Sequence, residues 1–153
     1  MNKMLMLASL GAALGVASVG GPALAHTRHH HHAAPAMGGF KLMGTMTGAA
    51  ENPAADPDGR GTFMARINPG HDKICYTMTT AMIAAPTAAH IHSGAKGVNG
   101  PPVVMLDTSA GEHCTAIASD LAMKIMKDAD GFYVNVHTAD YPGGAIRAQL
   151  KKG

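Results

Sequence analysis

Ala89-His90-Ile91-His92-Ser93-Gly94-Ala95-Lys96-Gly97-Val98-Asn99-Gly100-Pro101-Pro102-Val103-Val104 reads as a strand, a glycine-rich loop and a second strand. Side chains at i and i+2 of a strand share a face, so His90 and His92 stand side by side while Ile91 turns to the opposite layer. One apolar layer and one polar layer is the pattern of a half-buried sheet. Glycines at 94, 97 and 100 allow backbone conformations closed to other residues, as a tight, ordered loop demands. No helix carrying a lysine follows them, so the loop is not a phosphate cradle and nucleotide binding is not expected.

The same parity extends along the chain. In Phe132–His137, Tyr133, Asn135 and His137 share one face and Phe132, Val134 and Val136 the other. Phe63, Ala65 and Ile67 alternate with Thr62, Met64 and Arg66, and Ile74, Tyr76 and Met78 share a face of Lys73–Thr80. Asn68-Pro69-Gly70 between those two runs is a turn by composition, which makes them a hairpin. Adding Phe40–Thr47, Ala88–His92, Pro102–Leu106 and Ala145–Leu150 gives about seven short strands, and this predicts an all-β, antiparallel β-sandwich. One helix is expected over Asp120 to about Ala129, with Ser119 as its N-cap, Leu121, Ile125 and Asp128 stepping around its surface with Met123 and Met126, and Gly131 ending it. Tryptophan is absent and aromatic residues are only 4% of the chain, so the core must be built from Val, Ile, Leu, Ala and Met.

Two stretches are distinctive: the one from Ala89 to Val104 and Tyr133-Val134-Asn135-Val136-His137-Thr138-Ala139-Asp140-Tyr141-Pro142-Gly143-Gly144-Ala145-Ile146-Arg147-Ala148-Gln149-Leu150. The first resembles the H-I-H-x-G-x-x-G-x-x-G-P pattern of the chordin-domain (CHRD) family, and the second its Y-V-N-x-H-T…P-x-G-x-I-R-x-Q-L pattern. The segment Gly44 to Pro53, with Glu51-Asn52-Pro53, is similar to the family's usual opening. The resemblance spans about residues 40–151 and implies an immunoglobulin-like domain of the kind found in chordin and in many secreted bacterial proteins, where its activity is generally not established. Ala148 stands where the family often has Gly, a departure that bears on local packing alone.

Ahead of this region, Lys3, the apolar run Met4–Val19 and Ala23-Leu24-Ala25 form a secretory signal pattern with cleavage after Ala25. Residues 26–39, HTRHHHHAAPAMGG, have no apolar periodicity and read as a His-rich flexible tail. The chain is therefore expected to be exported, periplasmic or extracellular, with no membrane association after cleavage and one CHRD domain over residues 40–151. Formal charge is +2 and no Lys/Arg cluster appears, which argues against nucleic acid as a partner. In an oxidising compartment the two cysteines, Cys75 and Cys114, read as one disulfide; the competing reading, metal-ligating thiolates, has only His113 beside Cys114 to support it.

His90, His92 and His137 form a candidate metal site, because three imidazoles on one polar face suit copper or zinc. The alternative is structural: the two strand histidines hydrogen-bond to the loop Gly94 to Gly100, and Asn135 and Arg147 complete a buried polar cluster. His26, His29, His30, His31 and His32 form a second, less specific metal candidate on the tail. Thioethers are soft ligands, but core filling is the default for most of the methionines, and Met43 and Met46 fall on opposite strand faces. No catalytic residue stands out: Ser93, Ser109 and Ser119 lack a nucleophile-elbow context, and the aspartates lie mainly in loops. Three readings follow: a structural or interaction module with an unknown protein partner, a transition-metal-binding protein, and a metal-dependent enzyme using the same three histidines.

Overall fold

The computed structural model describes residues 38–153 apart from 69 and 71; the expected leader and nearly all of the expected tail, with His26 and His29 to His32, lie outside the described residues. Among the described residues there are nine strands: β1 (Phe40–Thr47), β2 (Arg60–Asn68), β3 (Lys73–Ala81), β4 (Pro86–Ser93), β5 (Pro102–Leu106), β6 (Glu112–Ala116), β7 (Phe132–Thr138), β8 (Ile146–Gln149) and β9 (Lys151–Lys152). The α-helix among the described residues, α1, covers Ser119–Lys127. All pairings are antiparallel, and the strand order is β5-β4-β7-β8-β1-β2-β3-β6, with β9 added beside β1.

The path is continuous, yet it folds as two layers. The β5-β4-β7-β8 half meets the β1-β2-β3-β6 half through one β1–β8 pair, Thr47 with Arg147, and through the short β9. Leu42, Met46, Phe63, Ile67, Ile74 and Tyr76 from one half share a single core with Ala89, Ile91, Val104, Val134, Val136 and Ile146 from the other. This is the all-β sandwich that the alternating pattern predicts, and alternation explains it: β2 buries Gly61, Phe63, Ala65 and Ile67 and exposes the residues between. At the contact between β1 and β8, a Cβ on Gly44 would stand 2.9 Å from the Cβ of Ala148, so glycine at 44 leaves the room that alanine at 148 occupies.

All seven expected strands are present, and two more are added. β6 escaped the reading because it lies at the sheet edge and buries neither face fully; its position is fixed by pairing with β3 and by the Cys75–Cys114 disulfide, whose two residues are directly opposed. The disulfide rules out the thiolate-ligand alternative for this pair. α1 is also shifted: Ser119 lies inside the helix and Ala118 is its N-cap, because the Ser119 hydroxyl donates to the Asp72 carboxylate instead of capping. The helix ends at Lys127 rather than near Ala129, since residues 129–131 form a 3-10 turn whose Gly131 carbonyl accepts a hydrogen bond from Gly94 N–H at 2.8 Å. Ala122 and Ile125 are the buried residues of α1, while Met123 is exposed.

Candidate functional site

The outer face of the β5-β4-β7-β8 half carries a row of directly opposed residues, one from each strand: Met105, His90, Asn135 and Arg147, continued by Thr47 on β1. His92 and Tyr133 form the next opposed pair, and His137 stands opposite Ala88. The parity that sends Ile91, Val134 and Val136 into the core thus places every one of these polar groups on the other side.

The middle of that side is shielded from solvent. Asn135 is 2% exposed, Arg147 1% and His92 8%, because the segment 94–100 folds over them. Arg147 holds this cover: its guanidinium donates to the Val98 carbonyl at 2.8 Å, the Ala95 carbonyl at 3.2 Å and Asn99 Oδ1 at 3.1 Å, and its Cζ lies 3.3 Å from the Tyr133 ring centroid. Asn52 Nδ2 donates to the Gly97 carbonyl at 2.7 Å and Asn99 Nδ2 to the Asn52 carbonyl at 2.6 Å, which ties the segment after β1 to the same loop. Gly97, at φ 78°, takes the left-handed backbone that the loop needs, and Gly100 is required for space, since a Cβ there would lie 1.6 Å from the Ser93 carbonyl oxygen.

Three imidazoles gather beside this cover, His92 buried under it and His90 and His137 half-buried. His90, His92 and His137 each offer a ring nitrogen within 4.8 Å of the others. His92 Nδ1 lies 2.8 Å from the Gly100 carbonyl and His137 Nδ1 2.9 Å from the Pro142 carbonyl. A carbonyl only accepts, so both Nδ1 atoms donate, and in His92 this leaves Nε2 with a lone pair. His137 Nε2 is 3.1 Å from His90 Nδ1 and 3.1 Å from Asn135 Oδ1, and His92 Nε2 is buried without a hydrogen-bond partner. The His92 ring also stacks on Tyr133, with centroids 4.7 Å apart and planes within 9°.

Burial lowers the pKa of His90 first, and the charges of His137 and His92 act in the same direction. Burial also lowers that of His92, with the Gly100 carbonyl acting against it. Both rings are therefore held toward the neutral form, the form that binds metal. Nearby, Glu51 is pushed up to about 7 by burial, against the pull of the Arg147 charge, the Asn135 amide and the Asn52 backbone. A groove bordered by Glu51, Asn52, Met64, Lys96, Arg147 and Gln149, reaching onto β1 and β2, contains none of the three histidines.

The structure therefore brings together the three histidines singled out in the sequence and divides the roles expected of them. His92 does hold the glycine-rich loop, as the structural alternative requires, whereas His90 makes no loop contact and meets His137 instead. Tyr133, Glu51 and Asn99 are part of the arrangement, although sequence reasoning gave them no role. For Tyr133 a signal was present, since it shares strand parity with His137. For Glu51 and Asn99, which join the site from two separate loops, there was none.

An antiparallel β-sandwich with a covered polar face, a buried arginine clamp and a histidine cluster defines the class. The CHRD domain model matches residues 42–150, and the chain belongs to the CHRD domain family. No curated protein and no solved structure matches it.

Proposed function

We propose that this CHRD domain binds one transition metal ion, copper or zinc, through His90, His92 and His137. The observation that supports this reading is the unpartnered lone pair of His92, aimed at the other two imidazoles. The Gly100 carbonyl fixes the tautomer of His92 from outside, as hydrogen-bond partners of metal-bound histidines do, and leaves its Nε2 for the ion, while the Pro142 carbonyl orients the His137 ring. The buried His92 Nε2 has no other partner, and an unpaired buried acceptor costs about 1 to 3 kcal/mol unless something fills its demand. Export of the chain, by the signal pattern at residues 1–25, agrees with the disulfide. The histidines at 26 and 29–32 would gather ions loosely ahead of the domain.

A second reading, an interaction module, is supported by the loop 94–100, which Arg147 holds in place while leaving Val98 53% exposed. His90→Ala separates the two, because among the described residues the side chain of His90 hydrogen-bonds to His137 and not to the loop. The test is calorimetric titration of Zn(II), Cu(II) and, under ascorbate, Cu(I) into the full chain with His26 and His29 to His32 changed to Asn. One ion per chain is expected, and a melting temperature raised by the equivalent of about 2.7 kcal/mol at a hundredfold excess over Kd. His90→Ala should abolish both effects while the metal-free melting temperature stays nearly constant. Absence of binding in the parent, or binding that survives His90→Ala, would leave the interaction module as the function.

A further inference from the structure

On the metal-binding reading, the register of β5 says more about which ion is held. Met105 is the residue of β5 directly opposite His90, so its side chain leaves the sheet on the face that carries the histidines, while its neighbours Val104 and Leu106 enter the core. Directly opposed residues of an antiparallel pair have Cβ atoms about 4.5 to 5.5 Å apart, well within the reach of an unbranched thioether with three rotatable bonds. β5 ends the strand order, and Met105 is 66% exposed at this edge, unlike Met46, which is fully buried in the core. Met64, Met82 and Met123 are about as exposed, so it is the register opposite half-buried His90 that sets Met105 apart.

We infer that Met105 is a fourth ligand and that the ion is copper in its cuprous state. Three neutral imidazoles and a thioether form a donor set without negative charge, which suits a monovalent ion. Sulfur is a soft donor that favours Cu(I) over Zn(II). The exposed edge position lets the thioether swing between solvent and ion, so that Met105 closes the site from its open side.

The test uses the full chain with His26 and His29 to His32 changed to Asn, and compares Met105→Leu with Met64→Leu, an exposed methionine on β2 in the other half of the sandwich. Cu(I) affinity is measured by competition with bathocuproine disulfonate under ascorbate, Zn(II) affinity by calorimetry, and the Cu(I) ligands by X-ray absorption. Met105→Leu is expected to weaken Cu(I) binding about tenfold or more, while Zn(II) binding changes by less than about threefold. One sulfur neighbour should be present in the parent and in Met64→Leu and absent in Met105→Leu. Equal Cu(I) affinity in the two variants, or a spectrum without sulfur in the parent, overturns the role of Met105 while a retained Zn(II) affinity keeps the histidine site. Uptake of neither ion by the parent overturns both.

Discussion

The two halves of the sandwich treat their outer faces differently. On β2 and β3 that face is wet: the Thr62 and Thr79 hydroxyls pair at 2.7 Å in the open, Met64 is 61% exposed, and Arg66 projects into solvent. On β4, β7 and β8 it is dry, covered by residues 94–100, and it is there that Asn135, Arg147 and His92 are buried. A solvated polar face asks nothing of its residues beyond strand propensity. A covered one requires a partner for each polar atom, and most have one. Among the described residues, the two buried side-chain atoms without a partner, His92 Nε2 and Glu51 Oε1, both belong to the covered half. Polar groups that are costly to bury and not fully satisfied mark the half in which binding chemistry is concentrated.

The largest effect is expected from removing the clamp. Arg147→Met would strand the Ala95 and Val98 carbonyls and Asn99 Oδ1 under the loop and should cost about 3 to 5 kcal/mol, whereas Arg66→Met on the wet face should stay within about 0.5 kcal/mol. Urea unfolding of the two variants measures the contrast directly. Similar losses would mean that the covered face is not held by its arginine.

The disulfide tests the wet half. Replacing Cys75 and Cys114 with Ala opens a loop closed across β3 and β6, and in the chain-entropy model this costs about 3 to 4 kcal/mol, mostly through the unfolded state. Because that edge belongs to the other half, amide exchange in residues 94–100 should slow or quicken only in proportion to the change in global stability. Arg147→Met should release those amides well beyond it. Selective opening of the loop in the cysteine variant would show that the halves are coupled more closely than their single β1–β8 pair suggests.

How much of this was legible in the sequence follows the same division. Alternation reports which side a residue takes, and it placed Ile91, Val134 and Val136 inward and His90, His92, Asn135 and His137 outward without error. It does not report what lies over the outward side, because a cover is made by loops whose position depends on contacts such as Asn52 with Gly97 and Asn99 with Asn52, far apart in the chain. Glu51 was therefore visible only as part of a family-like opening, and Ser119 was read as a cap although a distant aspartate, Asp72, engages it. β6 was hidden for the opposite reason: its burial alternates only between exposed and half-buried, the half-buried residues His113 and Thr115 are polar, and a cross-strand disulfide leaves only two cysteines as its trace.

The smallest effect, and the one that sharpens the contrast most, comes from Glu51. Its carboxyl is raised to about 7 in the folded domain from an ordinary value of 4.5, so over the interval between them the folded state holds a proton that the unfolded chain has released. The unfolded state then binds fewer protons, and stability contributed by this group falls as pH rises from about 4.5 to about 7 and is level above that. His90 and His92, lowered by burial, act in the opposite sense and lose stability on acidification below their ordinary value of 6.5, so the profile of the parent alone is a mixture. The difference between Glu51→Gln and the parent isolates the carboxyl. Glutamine retains the shape and carries no charge to desolvate, so the variant should gain on the parent steadily between pH 4.5 and 7 and hold that gain above it, read as melting temperatures across the range. A difference independent of pH would mean that Glu51 reaches water as freely as Arg66 does, and that the cover over this half ends before it.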